Sequence, residues 1–330
     1  MSREADGGAG GGGSLGGGTL GVVGGALMLG RGMFGVGVLS MPYMFVLAGP
    51  WLGASLLIAF ALNSAAMATA LVAAAPWADS YEEAVRQLFG RRGEVFLAAN
   101  IVLANTGTCA AYLSVAGARL SGCAAFWALP QFLARRSVVI VLCALTVLPF
   151  TFPAKLGSTR WASAASFALG AAVAVVVTAQ SARLRPETGG PGVSPRTVLR
   201  AVPLTCYAFS AISQVFPMYF ELSPGSRSVR SVARVVALAS AAAGALYAAV
   251  GLSASRGFGA GTAPDVLANV EAADPVLFHA LGSVYAVGLL LGVPLMLFPA
   301  RRSLGALLPA ARVAPLAAAA HEGASAGAAA

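Results

Sequence analysis

The chain contains few charged residues and almost no histidine. Asp, Glu, Lys and Arg make up 10% of its 330 residues, and 2 residues are His. A soluble domain carries roughly a quarter charged residues. Because 58% of the residues are hydrophobic and the mean hydropathy is +0.80, the composition excludes an ordinary soluble domain and predicts a membrane protein with several spans.

The sequence also lacks the groupings of side chains that catalysis and metal binding need. Its two histidines, His279 and His321, lie at the edge of a predicted span and in the C-terminal tail. No Ser/His/Asp set, Cys/His pair or HExxH motif is present. We therefore predict no enzyme activity, no metal site and no organic cofactor. Four cysteines lack the spacing of a metal site or a disulfide framework, and we interpret them as small residues at helix contacts: Cys109, Cys123, Cys143 and Cys206.

Positive charge is spread along the chain and does not form one block. The formal net charge is +9, and nearly all of the basic residues are arginines in short polar connections. This distribution is typical of topology signals and lipid headgroup contacts, and not of a surface for nucleic acid. The bias of Lys and Arg between alternate connections predicts a cytosolic N-terminus. Whether the membrane is vacuolar, endomembrane or plasma membrane stays open.

Eight apolar segments are long enough, or nearly so, to cross a bilayer, which takes about 20 residues. The predicted spans are 20–46, 51–75, 95–117, 137–152, 157–181, 198–220, 232–254 and 275–299. The fourth is the shortest. Residues 19–300 thus form a predicted transmembrane domain. It lies between a Gly-rich tail at 1–18 and an Ala-rich tail at 301–330, both predicted to be disordered and cytosolic.

The connection between the second and third predicted spans, residues 76–94, has a helical pattern. Apolar residues recur at helical spacing at Tyr81, Ala84, Val85 and Leu88, and Gly90 follows them. We predict a short amphipathic helix at the membrane surface.

The first and sixth predicted spans are each interrupted by residues that weaken a helix. The first contains RGMFGVGVLSMPY from Arg31 to Tyr43, with three glycines and a proline. The sixth contains polar residues in mid-span and a proline after them: Ser210, Ser213, Gln214 and Pro217. We expect Pro217 to free carbonyls near Ser213. Unpaired backbone at membrane depth is tolerated only against protein or a water-filled cavity, so both interruptions are candidate binding sites.

The two interruptions lie five spans apart, which is the spacing of an inverted five-helix repeat. In transporters such paired segments mark a substrate site near the middle of the bilayer. Free N–H groups at the starts of half-helices suit a carboxylate, and free carbonyls suit an amine or a cation. A simpler interpretation stays open, because glycine also serves close helix packing and a single proline also serves as a kink.

Four stretches resemble the amino acid/auxin permeases, which include plant vacuolar amino acid transporters and sodium-coupled neutral amino acid transporters. They are GVGVLSMPYMFVLAGPWLG from Gly35, SYEEAVRQLFGRRGE from Ser80, YAFSAISQVFPMYFEL from Tyr207 and VPLMLFPARRSL from Val293. The first is similar to the family's first-span signature, GxGxLxxPYxxxxxGxxxG. The last is similar to its eighth-span ending, V-P-x-x-x-F-P-x-R-x-S. The four stretches follow the family's order and cover most of the chain.

The resemblance implies a LeuT-like, all-α helix bundle with an inverted repeat, and transport of neutral amino acids by alternating access. It also implies that the first and sixth spans hold the substrate and that the third lines the site. The implied residues are the backbone of Gly35, Val36 and Gly37 with Ser40 nearby, then Asn105 and Tyr112, and finally Tyr207, Ser210, Ser213 and Gln214.

Two positions depart from the sodium-coupled members of the family. Those members place an amide in the first span and a hydroxyl in the eighth as ion ligands, whereas this chain has Met28 and Gly292 there. This argues against sodium coupling. Arg31 stands where the family usually has an asparagine, and we hypothesise that its guanidinium replaces the missing cation or pairs with an anionic substrate. Alternatively, Arg31 snorkels to the membrane interface. No carboxylate lies in mid-span, so proton symport and exchange both stay open.

The family continues for about three more spans, whereas this chain ends after the eighth predicted span. We expect an incomplete second repeat, with either lipid or a partner chain on the side left open. Either this sequence is cut short or the chain is a degenerate member of the family. Two functions from different classes follow from these observations. One is a transporter or exchanger of neutral amino acids. The other is a transport-incompetent relative that senses amino acids or serves as a subunit of a membrane complex.

Overall fold

The computed structural model describes residues 19–75, 77–78, 80–151, 160–184 and 193–307. These residues form helices joined by short connections, and no β-strand occurs among them. The α-helices are α1 (Val22–Met33), α2 (Met41–Ala48), α3 (Pro50–Ala74), α4 (Tyr81–Phe126), α5 (Gln131–Ala134), α6 (Arg136–Val147), α7 (Arg160–Ser181), α8 (Pro195–Ala208), α9 (Val215–Glu221), α10 (Val229–Phe258), α11 (Leu267–Ala273) and α12 (Pro275–Leu307). The predicted N-terminal tail lies outside the described residues. So does the C-terminal tail beyond Leu307, to which α12 extends.

Six helical segments among the described residues are long and apolar enough to cross a membrane. They are α3, α4, α7, the pair α8 and α9, α10, and α12. A seventh crossing results if α1 and α2 form one bent span. The predicted fourth span corresponds to the apolar helical segment Arg136–Thr151. This segment is shorter than the about 20 residues that a full crossing takes, so it does not count among the six. The expected helical multi-pass architecture is therefore confirmed, and the count of eight spans stays a prediction.

Two long helices organise the packing. α12 packs along α4 and α7, and α10 packs against α1, α2, α3 and α7. α10 therefore contacts both halves of the interrupted first span. The largest fully buried side chains include Arg31, Tyr112 and Tyr247, which come from α1, α4 and α10. Large polar side chains thus lie at the centre of the bundle, where each needs a hydrogen-bonding partner.

Both predicted interruptions are present as breaks in the helices. The first-span break, residues 34–40, lies between α1 and α2, and the chain bends by 59° between Val22–Met33 and Gly37–Ala48. The sixth-span break, residues 209–214, lies between α8 and α9. Each ends in a 3-10 turn, and the helix that follows has a proline in its first turn, Pro42 or Pro217. Prolines are tolerated there because the first N–H groups of a helix have no intrahelical partner. Pro217 therefore lies in the first turn of α9, and the expectation that it frees carbonyls near Ser213 stays a prediction.

The helix predicted in the connection between the second and third spans is present as the first part of α4, and its place at the membrane surface stays a prediction. Its N-terminus is capped by Ser80, whose hydroxyl accepts a hydrogen bond from the Glu83 N–H at 3.1 Å. At Gly90 the backbone takes φ +68°, and the chain turns there into the long apolar part of α4. The Ser303 hydroxyl of α12 donates to the buried carboxylate of Glu82. This contact holds the surface helix against the last helix.

Backbone hydrogen bonds attach the start of the first span and its break to other segments. Before α1, the Leu20 N–H donates to the Glu221 carbonyl at 3.0 Å, and the Ser223 N–H donates to the Leu20 carbonyl at 2.9 Å. At the other end of the break, the Val266 N–H donates to the Leu39 carbonyl at 3.1 Å. The start of the first span is therefore paired with the end of α9, and the connection between α10 and α11 covers the far side of the first-span break.

Candidate functional site

The first-span break frees three consecutive carbonyls, and a side chain donates to each of them. The end of a helix leaves its last carbonyls without intrahelical partners. Tyr247 of α10 donates its hydroxyl to the Met33 carbonyl at 2.7 Å. Nη1 of Arg31 donates to the Phe34 carbonyl at 3.0 Å, and the Tyr285 hydroxyl of α12 donates to the Gly35 carbonyl at 3.0 Å. α1, α10 and α12 thus each provide one donor for this break.

Arg31 lies inside the protein and does not reach the membrane interface. Its side chain is only 1% exposed. Besides the Phe34 carbonyl, its Nη2 donates to the Gly288 carbonyl of α12 at 3.3 Å. A Cβ atom added at Gly292 would overlap the guanidinium, so a glycine at this position leaves room for the charge. No carboxylate forms a salt bridge with Arg31 within the described part of the chain, and its Nε has no hydrogen-bonding partner there.

The sixth-span break has fewer donors from other elements. The Ala208 carbonyl, at the end of α8, lies 3.2 Å from the Tyr247 hydroxyl. The next carbonyl, that of Phe209, accepts from the Ser64 hydroxyl of α3 at 3.3 Å and from the N–H of Ala211 at 3.1 Å. The second of these contacts lies within the break itself.

The two breaks are in direct contact. The Tyr247 hydroxyl reaches both the Met33 and the Ala208 carbonyl, so the C-terminal ends of α1 and α8 meet at one side chain. A Cβ atom added at Gly37 would lie 3.5 Å from Ala208 and 3.9 Å from the Tyr207 ring. The predicted pairing of the interruptions is therefore seen as a spatial contact between the backbone of one break and the helix end of the other.

The third predicted span forms a wall of this region through Tyr112 of α4. This side chain is 1% exposed, and its ring centroid lies 5.6 Å from the Arg31 guanidinium. A Cβ atom at Gly35 would overlap the Tyr112 hydroxyl. Tyr207 is 45% exposed and lies beside Thr108 of α4. The structure thus brings together Arg31, Gly35, Gly37, Tyr112 and Tyr207.

The remaining predicted site residues are distributed around this centre. Gln214 is buried against Gly32 of α1, with its Nε2 3.2 Å from the Met296 sulfur. Asn105 is buried and donates to the Ile101 carbonyl of its own helix at 2.9 Å. Ser40 and Ser213 are half-buried, and the side chain of Val36 lies outside the described atoms.

Ser210 lies on a different side of the sixth-span break. It is exposed and lines a cavity of about 280 Å³ between the break and α3, to which Asn63 and Ser64 also contribute. It therefore does not face the first-span break together with Gly37.

Sequence reasoning missed Tyr247 and Tyr285, although a signal for them exists. Both lie in the middle of long apolar helices, and both are 2% exposed or less. A buried tyrosine hydroxyl needs an acceptor, and a broken helix offers free carbonyls that need donors. Pairing buried tyrosine hydroxyls with the free carbonyls of the breaks would have identified these two residues, but not the carbonyls to which they donate.

The chain has detectable relatives. Residues 18–323 match the family described as "Transmembrane amino acid transporter protein". "Amino acid transporter AVT6B" of Arabidopsis thaliana is 26% identical over 314 residues, which cover 86% of this chain and 68% of the relative. "Amino acid transporter AVT6E" of the same plant is 26% identical over 312 residues, covering 87% of this chain and 63% of the relative. "Sodium-coupled neutral amino acid transporter 7" of Xenopus laevis is 26% identical over 268 residues, covering 76% and 58%.

The matched part therefore amounts to between 58% and 68% of the length of these relatives. The family match, residues 18–323, includes both breaks and the helices that carry Tyr112, Tyr247 and Tyr285. The relatives are named as transporters and not as enzymes. The chain is an integral multi-pass membrane protein and belongs to the transmembrane amino acid transporter family, the amino acid/auxin permeases.

Proposed function

We propose that this protein moves neutral amino acids across a membrane by alternating access, with the substrate held where the two breaks meet. The observation that carries the proposal is the contact of two helix ends in mid-span, at Tyr247, with Gly37 and Tyr207 facing each other beside it. Broken helices in contact at this depth are the usual setting of a substrate site in transporters with inverted repeats. A LeuT-like arrangement is part of the proposal, as is a neutral substrate, which the name of the Xenopus relative supports.

The hydrogen bonding at the breaks suggests how the two ends of an amino acid would be held. The carbonyls of Met33, Phe34 and Gly35 already accept from side chains. The N–H groups at the start of the turn Val36–Ser40 begin a new helical segment, and helix starts favour carboxylates. We assign the substrate carboxylate to this segment, around Val36 and Gly37. The amine would then lie towards the sixth-span break, where fewer donors from other elements compete for the carbonyls.

Arg31 belongs to the proposal as the residue that replaces a coupling cation. Its guanidinium lies against Gly292, one of the two positions at which sodium-coupled relatives are expected to place an ion ligand. It also links the Phe34 carbonyl of the first-span break to the Gly288 carbonyl of α12, as a bound cation would. On this basis we expect sodium-independent transport.

Reconstitution of the purified chain in liposomes tests the function directly. A panel of radiolabelled amino acids is offered with and without sodium, and with and without a pH gradient. We expect sodium-independent uptake or exchange of neutral amino acids, and the response to the pH gradient identifies or excludes a coupling proton. Binding without flux would favour the sensor or subunit role instead. The absence of both binding and flux would refute the proposal.

Gly37→Leu tests whether the breaks are the site. A leucine there would place its branched end between the two breaks, since even a Cβ atom would already contact Ala208. We expect uptake to fall by about 100-fold, because misplaced contacts at a site are costly. Gly107→Leu is the matched control, since nothing lies within 4 Å of a Cβ atom at that position. Equal uptake by both variants, at equal membrane insertion, would place the substrate elsewhere.

A further inference from the structure

We propose that Tyr247 is a positioning residue that sets the two breaks relative to each other through one shared hydroxyl proton. The functional part of this proposal rests on the breaks being the substrate site, whereas the structural part rests on geometry alone. Tyr247 belongs to neither broken span, since it lies in α10. Its side chain is fully buried. Its effect on a substrate would therefore pass through the helix ends that it contacts.

The hydroxyl contacts the corresponding residue of each broken helix. Met33 is the last residue of α1 and Ala208 is the last residue of α8. The hydroxyl oxygen is 2.7 Å from the Met33 carbonyl and 3.2 Å from the Ala208 carbonyl. A tyrosine hydroxyl has a single proton to donate, so the two carbonyls compete for it. A shift of one helix end changes the hydrogen bond available to the other.

The hydroxyl proton of Tyr247 also acts on the electrostatic repulsion between the two helix ends. The C-terminus of a helix carries roughly half a negative charge, so the ends of α1 and α8 repel each other where they meet. The hydroxyl proton between Met33 and Ala208 offsets this repulsion. Met33 retains a second donor, the Gly35 N–H at 2.9 Å, whereas no other donor to the Ala208 carbonyl occurs in the described connections. Loss of the hydroxyl should therefore release the sixth-span break most.

Aromatic packing determines where the hydroxyl points. Phe34 and Phe209 are the residues that directly follow α1 and α8. The Phe34 ring is stacked on Tyr247 with centroids 5.8 Å apart and an interplanar angle of 1°. The Phe209 ring meets it edge-on at 5.6 Å and 86°. Both breaks thus contribute a ring that holds Tyr247, which gives a second path between them.

Tyr247→Phe removes the hydroxyl and keeps the ring, and Tyr285→Phe is the matched control. Tyr285 donates to the Gly35 carbonyl, in the first-span break alone. Amide hydrogen exchange of the detergent-purified proteins, measured by mass spectrometry, reports on each break without any substrate. For Tyr247→Phe we expect exchange to rise about tenfold over residues 31–38 and 205–214, as for one lost buried hydrogen bond. For Tyr285→Phe the rise should be confined to residues 31–38.

Transport provides the second readout. In liposomes we expect Tyr247→Phe to raise the KM for the amino acid about tenfold and to change the maximal rate less, because the site loses its preset geometry. An effect on exchange at only one break, or the same exchange pattern for both variants, would overturn the shared role. If the wild-type chain carries no amino acid, the proposed function fails while the exchange experiment still decides the role of Tyr247.

Phe209→Leu provides a test that leaves the hydroxyl in place, should Tyr247→Phe not fold. It removes an edge contact on the sixth-span side of the tyrosine ring. Exchange over residues 31–38, in the other break, is expected to increase several-fold. Unchanged exchange in that segment would show that the two breaks are not linked through Tyr247.

Discussion

The first-span break and the sixth-span break share a backbone plan and differ in how their carbonyls are paired. Each consists of a helix end, an irregular segment, a 3-10 turn and a helix with a proline in its first turn. In the first-span break three consecutive carbonyls accept from Arg31, Tyr247 and Tyr285. In the sixth-span break the donors from other elements, within the described part of the chain, are Ser64 and the shared hydroxyl of Tyr247.

This difference indicates a division of roles between the two breaks. Buried hydrogen bonds from three helices should hold the first-span break in place, because the Phe34 and Gly35 carbonyls would lose their side-chain donors if these bonds broke. The sixth-span break borders a cavity and exposes Ser210, so its backbone has room to rearrange. We infer that the first-span break is the fixed side of the site and that the sixth-span break is the adjustable side.

Arg31→Asn should reduce uptake more than any other substitution considered for the two breaks, because it removes the charged donor of the fixed side. The Phe34 and Gly288 carbonyls would lose a partner that is 1% exposed. We expect sodium-independent uptake to fall by about 100-fold, which corresponds to roughly 2.7 kcal/mol. Any uptake that remains should depend on sodium, because asparagine restores a neutral oxygen ligand at a site that has lost its own cation.

The matched control for Arg31→Asn is Arg230→Asn, at an exposed position in the first turn of α10. Uptake by the control should equal that of the wild type. If Arg31→Asn also kept full sodium-independent uptake, the role of Arg31 as a substitute cation would be ruled out.

Gly292→Ser should have the second-largest effect, because its Cβ atom would overlap the guanidinium of Arg31. Overpacking of a buried site costs typically 1–3 kcal/mol, so we expect a lower thermal unfolding temperature and uptake reduced by about tenfold. Gly305→Ser is the control on the same helix, since a Cβ atom there meets nothing within 4 Å.

The double variant Arg31→Asn with Gly292→Ser sharpens the test. Removing the guanidinium relieves the overlap and places an amide at position 31 and a hydroxyl at position 292, while Met28 is unchanged. We expect the double variant to unfold at a higher temperature than Gly292→Ser alone and to show sodium-dependent uptake. Additive destabilisation of the two substitutions would show that Arg31 and Gly292 do not interact.

Ser64→Ala should have the smallest effect, because it affects the adjustable side. The Phe209 carbonyl would lose the Ser64 hydroxyl and keep the Ala211 N–H. We expect uptake to change by less than about threefold, as for one neutral hydrogen bond with a remaining partner. The control is Ser55→Ala in the same helix, where the hydroxyl donates to the Trp51 carbonyl one turn before it. A loss with Ser64→Ala as large as with Arg31→Asn would invalidate the division into fixed and adjustable sides.

Much of the site could be anticipated from glycine, proline and polar residues in apolar runs. The interruption at Gly35 and Gly37, its partner around Ser210 and Gln214, and the contact between them follow from repeat spacing. The direction of the Arg31 side chain could not be anticipated, because burial and snorkelling are both compatible with an arginine in an apolar segment. The position of Pro217 in the first turn of α9 could not be anticipated either, because a proline in sequence does not show whether it lies in a helix interior or in a first turn.

The sequence by itself determined that this chain crosses a membrane, that two of its spans are broken and that it resembles amino acid permeases. Composition, local propensity and motif order suffice for these conclusions, since each depends on neighbouring residues along the chain. Only the tertiary structure decided which side chain pairs with which freed carbonyl. Tyr247 and Met33 are far apart in sequence, but the Tyr247 hydroxyl oxygen lies 2.7 Å from the Met33 carbonyl oxygen. A buried carbonyl accepts from whichever donor the packing of distant helices brings to it, and that depends on the whole bundle.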